Sequence, residues 1–342
     1  MVVFKSKNLQ NYSYDFVLKF NLFLHVYSTE YASINYIKSI YVVLFMMGCE
    51  FKSQVKLDNI QDFEMMFERM KVDRPREAAV YYVTLVLDCP KEFSEFLKVA
   101  EDLANITRRP LETGRNSLLR HGLIAKVLFS HDADEDFGRE SYLPVHPRAL
   151  WELIKNDLKS HIEEDTYNGI NHRLEEYSRL YSSNFKKYGI KLKRNGNVTL
   201  QYSRKWILYN ILNNCLDQGN HLRIQLGGER FFEEPYLTYF KKFLDCNTKV
   251  QLIIDTKVNI DAAKDLKKNY PENLEIRYFS EEVSGTQRNY VFGKELAVNG
   301  IKILPETTSE PSYVGTAYVN LDDIDVLNEK FTSLWDLAKQ LK

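Results

Sequence analysis

Side chains with the chemistry to contact nucleic acid are concentrated between positions 108 and 120. The set consists of Arg108, Arg109, Arg115, Asn116 and Arg120. The planar guanidinium of arginine pairs with guanine edges and with phosphate oxygens, and an asparagine amide can pair with adenine. Within this stretch only Glu112 is acidic. Because a basic helix face is often just a solvated surface, the meaning of these residues depends on the element that presents them.

Apolar residues at helical spacing predict three helices around this set. They cover residues 76–89, residues 93–104, and a third segment that starts near Pro110 and stops at His121-Gly122. Thr107 is placed to help cap the third helix. Gly114 lies inside it, at a cost of about 1 kcal/mol relative to alanine. This glycine either permits a close backbone approach or means that the helix starts later.

Two strand-like stretches, 123–129 and 140–145, follow the third helix and flank a polar loop. Three helices and then a hairpin is the order of a winged helix-turn-helix, in which the third helix enters the major groove of DNA. We therefore predict such a domain over residues 61–150. The loop from His131 to Asp136 is acidic and would be repelled by phosphate. It either points away from DNA or holds a divalent cation, and we expect no metal.

A long helical stretch is predicted over residues 148–188, with a possible break at Asn168-Gly169. Its second half repeats apolar residues at alternating spacings of four and three, which is a heptad seam. The seam consists of Ile170, Leu174, Tyr177 and Tyr181. One interpretation is a helix that packs on its own chain, and the other is a dimerisation helix. We treat residues 151–195 as a helical linker.

From residue 196 onward strand-like and helix-like segments alternate, which predicts an α/β domain over residues 196–342. Gly227 and Gly228 follow a predicted strand and precede a predicted helix. Backbone amides in such a turn can cradle a phosphate or a sugar, although a simple turn explains the two glycines as well.

Several phrases of the sequence resemble the TrmB-type archaeal transcriptional regulators. They are 118–124 (LLRHGLI) and 142–147 (YLPVHP) around the hairpin, and 286–300 together with 313–318 and 331–335 in the second half. The second pair is similar to a phospholipase-D-like fold. The resemblance implies an α+β winged helix-turn-helix, then a helical linker, then an α/β phospholipase-D-like domain.

The resemblance also implies which residues replace the phospholipase D catalytic set. Thr286, Arg288 and Gly293 take the places of the histidine, lysine and aspartate. Threonine cannot form the phosphohistidine intermediate and glycine has no carboxylate, so the resemblance implies a degenerate site. It leaves Arg288 and Thr286, with Gly227 and Gly228, as candidate ligand-binding residues.

Composition and charge limit the class of protein and its location. The chain has 342 residues, a net charge of -1, and is 44% hydrophobic and 27% charged, as is ordinary for a globular protein. Its four cysteines form no CxxC pair, which suits a reducing, cytoplasmic location. For the leader, residues 1–60, three interpretations stay open: a buried or loosely ordered extension, a start-site artefact, and a weak membrane-associated helix. Lys38 interrupts the apolar run there well short of the roughly 20 residues that a membrane span needs.

Together these patterns predict a dimeric DNA-binding transcriptional regulator that is not an enzyme and needs no cofactor. Its partners would be double-stranded DNA, a second copy of the chain and a small anionic or sugar effector, with no membrane. Two alternatives stay open: a phosphodiesterase or nuclease with a nonstandard site, and a winged-helix subunit that contacts transcription proteins.

Overall fold

The computed structural model describes residues 53–90, 92–130, 142–195, 197–215, 221–226, 232–234, 236–254, 260–279, 287–294, 296–303, 312–318 and 320–341. Residues 1–52 of the predicted leader (1–60) and residues 131–141, which include the acidic loop, lie outside these residues.

Helices dominate the first part of the described chain. They are α1 (Leu57–Arg69), α2 (Pro75–Leu87), α3 (Phe93–Ala104) and α4 (Arg108–His121). Helix α2 is the centre of this part, because every residue from Ala78 to Leu87 is buried. Pro75 opens α2 as its first residue, where a missing N–H costs nothing. Helix α1 was not predicted, although Ile60, Phe63 and Phe67 have the spacing of one buried face.

The predicted hairpin is present as two antiparallel strands. Strand β1 (Ile124–Ser130) pairs with β2 (Tyr142–Pro144), with Ala125 opposite Leu143. Helices α5 (Pro147–Lys159) and α6 (Glu164–Asn195) follow. The expected break at Asn168-Gly169 is wrong: α6 runs through both residues, and the interruption lies between the two helices.

The heptad seam of α6 packs on its own chain. All four seam residues are at most 7% exposed. The Tyr177 hydroxyl donates to Asp62 Oδ2 over 2.7 Å, and the Tyr181 hydroxyl donates to the Pro144 carbonyl over 3.1 Å. Arg173 completes the contact with α1 through two hydrogen bonds to Asp62, of 2.6 and 2.7 Å. Intramolecular packing therefore buries these four side chains, and they are not available to a second chain.

The second part alternates strands and helices as predicted. Its elements are β3 (Asn197–Ser203), α7 (Arg204–Cys215), β4 (His221–Gln225), α8 (Tyr236–Asp245), β5 (Lys249–Ile254), α9 (Ile260–Asn269), β6 (Leu274–Tyr278), β7 (Gln287–Phe292), β8 (Leu296–Ile303), β9 (Ser312–Tyr318), α10 (Leu321–Leu337) and β10 (Lys339–Gln340).

In the described residues all strands belong to one mixed sheet of ten strands, in the order β10-β6-β5-β4-β7-β8-β9-β3-β1-β2. Strands β4, β5 and β6 are parallel, and the strands from β7 to β2 are antiparallel. Strand β1 pairs on its free side with β3, so the hairpin extends the sheet of the second part. The fold is thus mixed α+β, and the predicted domain division at 150 and 195 does not interrupt the sheet. That division stays a prediction.

Helix α10 covers one face of the sheet. Phe331 and Trp335 pack on Ile253 of β5, while Ile324 packs on Val291 and Ala297 of β7 and β8. Since strand side chains alternate between faces, Arg288 and Tyr290 of β7 lie on the face away from α10. None of the described helices combines the length and apolar character of a membrane span.

Candidate nucleic-acid interface

Helix α4 is held against α2 by an unusually close backbone approach. Leu111 and Leu118 are fully buried on its inner face, and Gly114 lies between them. A Cβ added at Gly114 would stand 2.5 Å from the Glu77 carbonyl carbon and 2.7 Å from the Ala78 nitrogen. The first of the two explanations for this glycine is therefore confirmed. Helix α4 already begins at Arg108, and the Thr107 side chain makes no capping hydrogen bond.

The end of α4 is anchored on the second part of the chain. Gly122 ends the helix with φ +72°, the left-handed conformation that favours glycine, as the sequence predicted. A Cβ there would meet Ser203 Oγ at 2.2 Å and the Trp206 nitrogen at 2.8 Å. The middle and the C-terminal end of the helix are thus positioned by tertiary contacts.

The outer face of α4 presents three of the predicted DNA-contacting residues. Arg109, Asn116 and Arg120 are exposed, and exposed Thr113 lies between them. Their spacings of four, three and four residues place them on one face, opposite buried Leu118. From Arg109 to Arg120 the face covers twelve residues, or about 16.5 Å for eleven steps of 1.5 Å. Arg109, Asn116 and Arg120 supply the hydrogen-bond donors of this face, while the Thr113 hydroxyl donates to the Arg109 carbonyl over 3.0 Å. We call these four residues the α4 stripe.

Arg108 and Arg115 lie on the neighbouring side of α4 and have partners there. Arg108 Nε donates to Glu112 Oε1 over 2.9 Å. Arg115 is half-buried, with its guanidinium carbon 5.7 Å from the ring centre of Phe93 and 5.8 Å from that of Tyr142. Arg115 therefore joins the start of α3 to strand β2, a packing role that the sequence did not reveal.

Arg120 has one acidic neighbour at the surface. Its Nη1 lies 3.1 Å from Asp73 Oδ2, with the two side chains 59% and 57% exposed. His121 Nε2 lies 3.6 Å from the same oxygen. Burial lowers the pKa of His121, the nearby Lys205 charge lowers it further, and the Asp73 carboxylate acts in the opposite direction. The Arg120 pair is exposed and weak, so this guanidinium can exchange its partner for phosphate at little cost.

Of the predicted ligand-binding residues, only Arg288 lies within the described part of the chain. Thr286, Gly227 and Gly228 fall outside it. Arg288 is 6% exposed, and its Nη1 donates to the Gln287 carbonyl over 2.7 Å. It is a buried arginine on β7 and not a surface one.

A second arginine, Arg204, lies close to this region and was not predicted. Arg204 is the first residue of α7, and its Nη2 donates to the Tyr313 hydroxyl over 2.9 Å. The rings of Tyr202 and Tyr313 stack at 5.7 Å, and Tyr290 is buried on the same face. The three tyrosines lie one on each of β3, β7 and β9, so no local sequence pattern signals that they meet Arg204. We call Arg204, Arg288, Tyr202, Tyr290 and Tyr313 the Arg204 cluster.

In the described ranges, no three side chains of His, Cys, Asp and Glu come together in a way that could hold an ion.

Comparison of the sequence with known proteins gives no match: no protein-family model and no curated protein matches it. Comparison of the structure gives weak similarities. TrmBL2, described as an archaeal chromatin protein with a novel mode of DNA binding, is 13% identical with a TM-score of 0.32, over 82% of this chain and 99% of its own.

Two enzymes are similar at the same level. Nuc, a phospholipase D family member from Salmonella typhimurium, is 12% identical with a TM-score of 0.30, over 38% of this chain and 87% of its own. The polyphosphate kinase of Porphyromonas gingivalis is 9% identical with a TM-score of 0.34, over 83% of this chain and 69% of its own. These enzymes among the similar structures contradict the prediction that the chain is not an enzyme, and that prediction is withdrawn.

Proposed function

We propose that this chain is a regulator that binds duplex DNA through the α4 stripe. The observation that carries the proposal is the arrangement of the stripe itself. Arg109, Asn116 and Arg120 share one exposed face of a helix whose opposite face is rigidly packed. A helix with donors outward and a fixed inner face can lie in the major groove without rearrangement.

The surrounding elements support a winged helix-turn-helix. Helices α2, α3 and α4 are followed directly by the β1–β2 hairpin, the order in which this module places its reading helix and wing. We assign α4 as the reading helix and the hairpin as the wing.

The five predicted contact residues then divide into different roles. Arg109 and Arg120 would contact phosphates, and Asn116, between them, would face base edges. Arg108 lies at the start of α4 and would contact phosphate only after releasing Glu112. Arg115 would act by positioning α4 through its two aromatic partners.

A two-fold dimer on paired half-sites remains part of the proposal, since helix-turn-helix proteins commonly bind in this way. The dimer contact would have to use a surface other than the α6 seam, whose side chains are buried within the chain. We likewise propose that the second part of the chain binds an effector ligand and that this binding regulates the DNA contact.

The test is fluorescence anisotropy of the full chain titrated into duplex DNA from upstream of its own gene, beside a random duplex. Arg109→Ala and Arg120→Ala are compared with Arg179→Ala, which removes an exposed arginine from α6. Each stripe variant should weaken binding by about tenfold at low salt, as expected for a lost charge-assisted hydrogen bond.

A salt series separates phosphate contacts from base contacts. Each lost phosphate contact should reduce the slope of log affinity against log salt by about 0.9. Asn116→Ala should instead reduce the preference for the upstream duplex by about 1–3 kcal/mol. If the Arg109→Ala, Arg120→Ala double variant binds like Arg179→Ala, the stripe is not the interface. No binding by the native chain at low salt would favour the protein-contact alternative.

A further inference from the structure

Helix α10 covers only part of the sheet face on which it packs. It contacts β5, β7 and the start of β8, where Val291 and Ala297 are buried beneath it. Toward the end of β8 the side chains on this same face are exposed: Ile301 is 56% exposed and Ile303 is 42% exposed. Two large apolar side chains thus face water on a central strand of the ten-stranded sheet.

The strand register extends this uncovered area across five strands. Residues that stand opposite each other in paired strands share a face, so the row through Ile301 of β8 continues onto β7, β9, β3 and β1. Nine residues on this side are exposed or half-buried, and we call them the open face: Lys126, Thr199, Gln201, Gln287, Asn299, Ile301, Ile303, Val314 and Thr316.

The open face is almost free of charge. Lys126, at its β1 border, is the only charged residue among the nine. In the whole chain 27% of residues are charged, and charged residues concentrate at exposed positions, so an ordinary exposed area of this size would carry more. Depletion of charge together with exposed large apolar side chains is typical of the centre of a protein–protein contact.

A second copy of the chain fits this face better than a charged partner does. In a two-fold contact one patch faces its own copy, so any charges at its centre would repel each other. The centre of the open face carries none, and Lys126 lies three strands away from Ile301. Duplex DNA, or a strongly basic or acidic protein, would find only this one charge to pair with. Neutrality therefore favours self-association over a charged partner.

We propose that the open face is a dimer contact, in which a second copy of the chain packs its own open face against it across a two-fold axis. Sheet faces pack in this way about 10 Å apart, with the side chains of the two sheets interdigitated. Ile301 and Ile303 form the centre of the contact. The use of this dimer on paired DNA half-sites rests on the proposed function, but the contact itself needs no DNA.

The size of the open face sets the strength of the contact. Five strands about 4.8 Å apart, with five residues at about 3.3 Å along each, give a flat extent of roughly 24 by 17 Å. Two such faces present about 800 Å² of flat area, and the relief of the side chains raises the buried accessible area toward the roughly 1,200 Å² at which stable specific interfaces begin. The dimer is therefore weak, and its population depends on protein concentration.

Sedimentation equilibrium of the full chain without DNA measures the contact. We expect a monomer–dimer equilibrium whose dissociation constant changes less than about threefold between low and high salt, because charges contribute little to it. Ile301→Asp should weaken the dimer at least about tenfold, since it places a carboxylate without a partner in the contact. Val326→Asp is the matched control: Val326 is 64% exposed but lies on α10, outside the open face, and its variant should associate like the native chain.

A mixing experiment tests whether the face meets its own copy. Ile301→Asp and Ile301→Lys each bring like charges together across the axis, so each variant alone should be mainly monomeric. An equal mixture should regain dimer, because opposite charges then face each other. Both variants should fold, since Ile301 is exposed within one chain, and circular dichroism checks this. Thr316→Asp, on the neighbouring strand, repeats the first test if they do not.

The proposal is overturned if the native chain stays monomeric at every concentration, which would leave the face to another partner. It is also overturned if folded Ile301→Asp dimerises like the native chain, or if the mixture dissociates as readily as either variant alone. DNA anisotropy of the same samples keeps the two proposals apart. A monomer that binds DNA refutes only the dimer contact, and a dimer through the open face that binds no DNA refutes only the proposed function.

Discussion

Replacing Gly114 by alanine tests whether close packing of α4 on α2 positions the proposed reading helix. Helix propensity alone predicts that the change stabilises the protein by about 1 kcal/mol, because glycine is a poor helix residue. The structure predicts the opposite sign. The new Cβ would lie 2.5 Å from the Glu77 carbonyl carbon and 2.7 Å from the Ala78 nitrogen, and backbone atoms of a buried helix cannot move aside singly.

The magnitude follows from these two opposing effects. Restoring ordinary contact at 3.4 Å or more requires α4 and α2 to separate by almost an ångström at this point. Overpacking of this kind costs about 1–3 kcal/mol, and a clash between two backbones belongs at the upper end of that range. After subtracting the gain in helix propensity, we expect a net loss of about 2 kcal/mol, or about 4 °C in Tm.

Gly169→Ala is the matched control, since Gly169 also lies inside a helix. Its added Cβ would meet only the end of the Arg173 side chain, at 3.4 Å. We therefore expect it to raise the unfolding free energy by about 1 kcal/mol. Thermal unfolding followed by circular dichroism measures both variants, and DNA anisotropy reports whether α4 has moved. If both glycine variants are stabilised equally, the close approach of α4 and α2 is wrong.

Two further predictions concern stability. Asp62→Ala removes the acceptor for Arg173 and Tyr177, and should cost about 2 kcal/mol in urea unfolding, mainly because the buried Tyr177 hydroxyl loses its acceptor while the Arg173 side chain, 35% exposed, keeps part of its hydration. Exposed Asp58→Ala should cost less than about 1 kcal/mol, and equal losses would contradict the role of the network. The lowered pKa of His121 means that the folded chain binds this proton more weakly than the unfolded chain. The contribution of neutral His121 to the free energy of unfolding is therefore complete above the ordinary pKa of 6.5, and it is lost as the pH falls below that value. His121→Gln should flatten the stability–pH curve between pH 5 and 7, roughly the window of histidine titration, and an unchanged curve would refute this.

Much of the secondary structure followed from local pattern. Helix α2 was predicted from Pro75 and from apolar spacing, and the end of α4 was predicted from Gly122. The start and the end of a helix are set within one turn of backbone, where the residue type decides the local conformation. Helix α1 was not predicted although Ile60, Phe63 and Phe67 carried the signal. Its buried face packs mainly on α2, the next helix, where the rings of Phe63 and Phe67 lie 5.0 and 5.5 Å from that of Tyr82.

The candidate site likewise has features that local sequence predicted and features that depend on distant contacts. The basic character of residues 108–120 was evident, but exposure was not: Arg109 and Arg120 point to solvent, while Arg115 packs between two rings. Arg204 was overlooked because its partners, Tyr236 and Tyr313, lie in distant elements.

The sequence by itself determined the order and types of most elements, the place of the basic helix and the glycine that ends it. Only the tertiary structure decided that the α6 seam is filled within one chain, since a heptad pattern is the same for an intramolecular and an intermolecular partner. It also decided that β1 pairs with β3, which joins the hairpin to the second part of the chain. Strand pairing at that distance satisfies backbone groups at the edge of a sheet, and these groups are identical in every residue except proline. Local sequence therefore cannot specify which strand fills the edge.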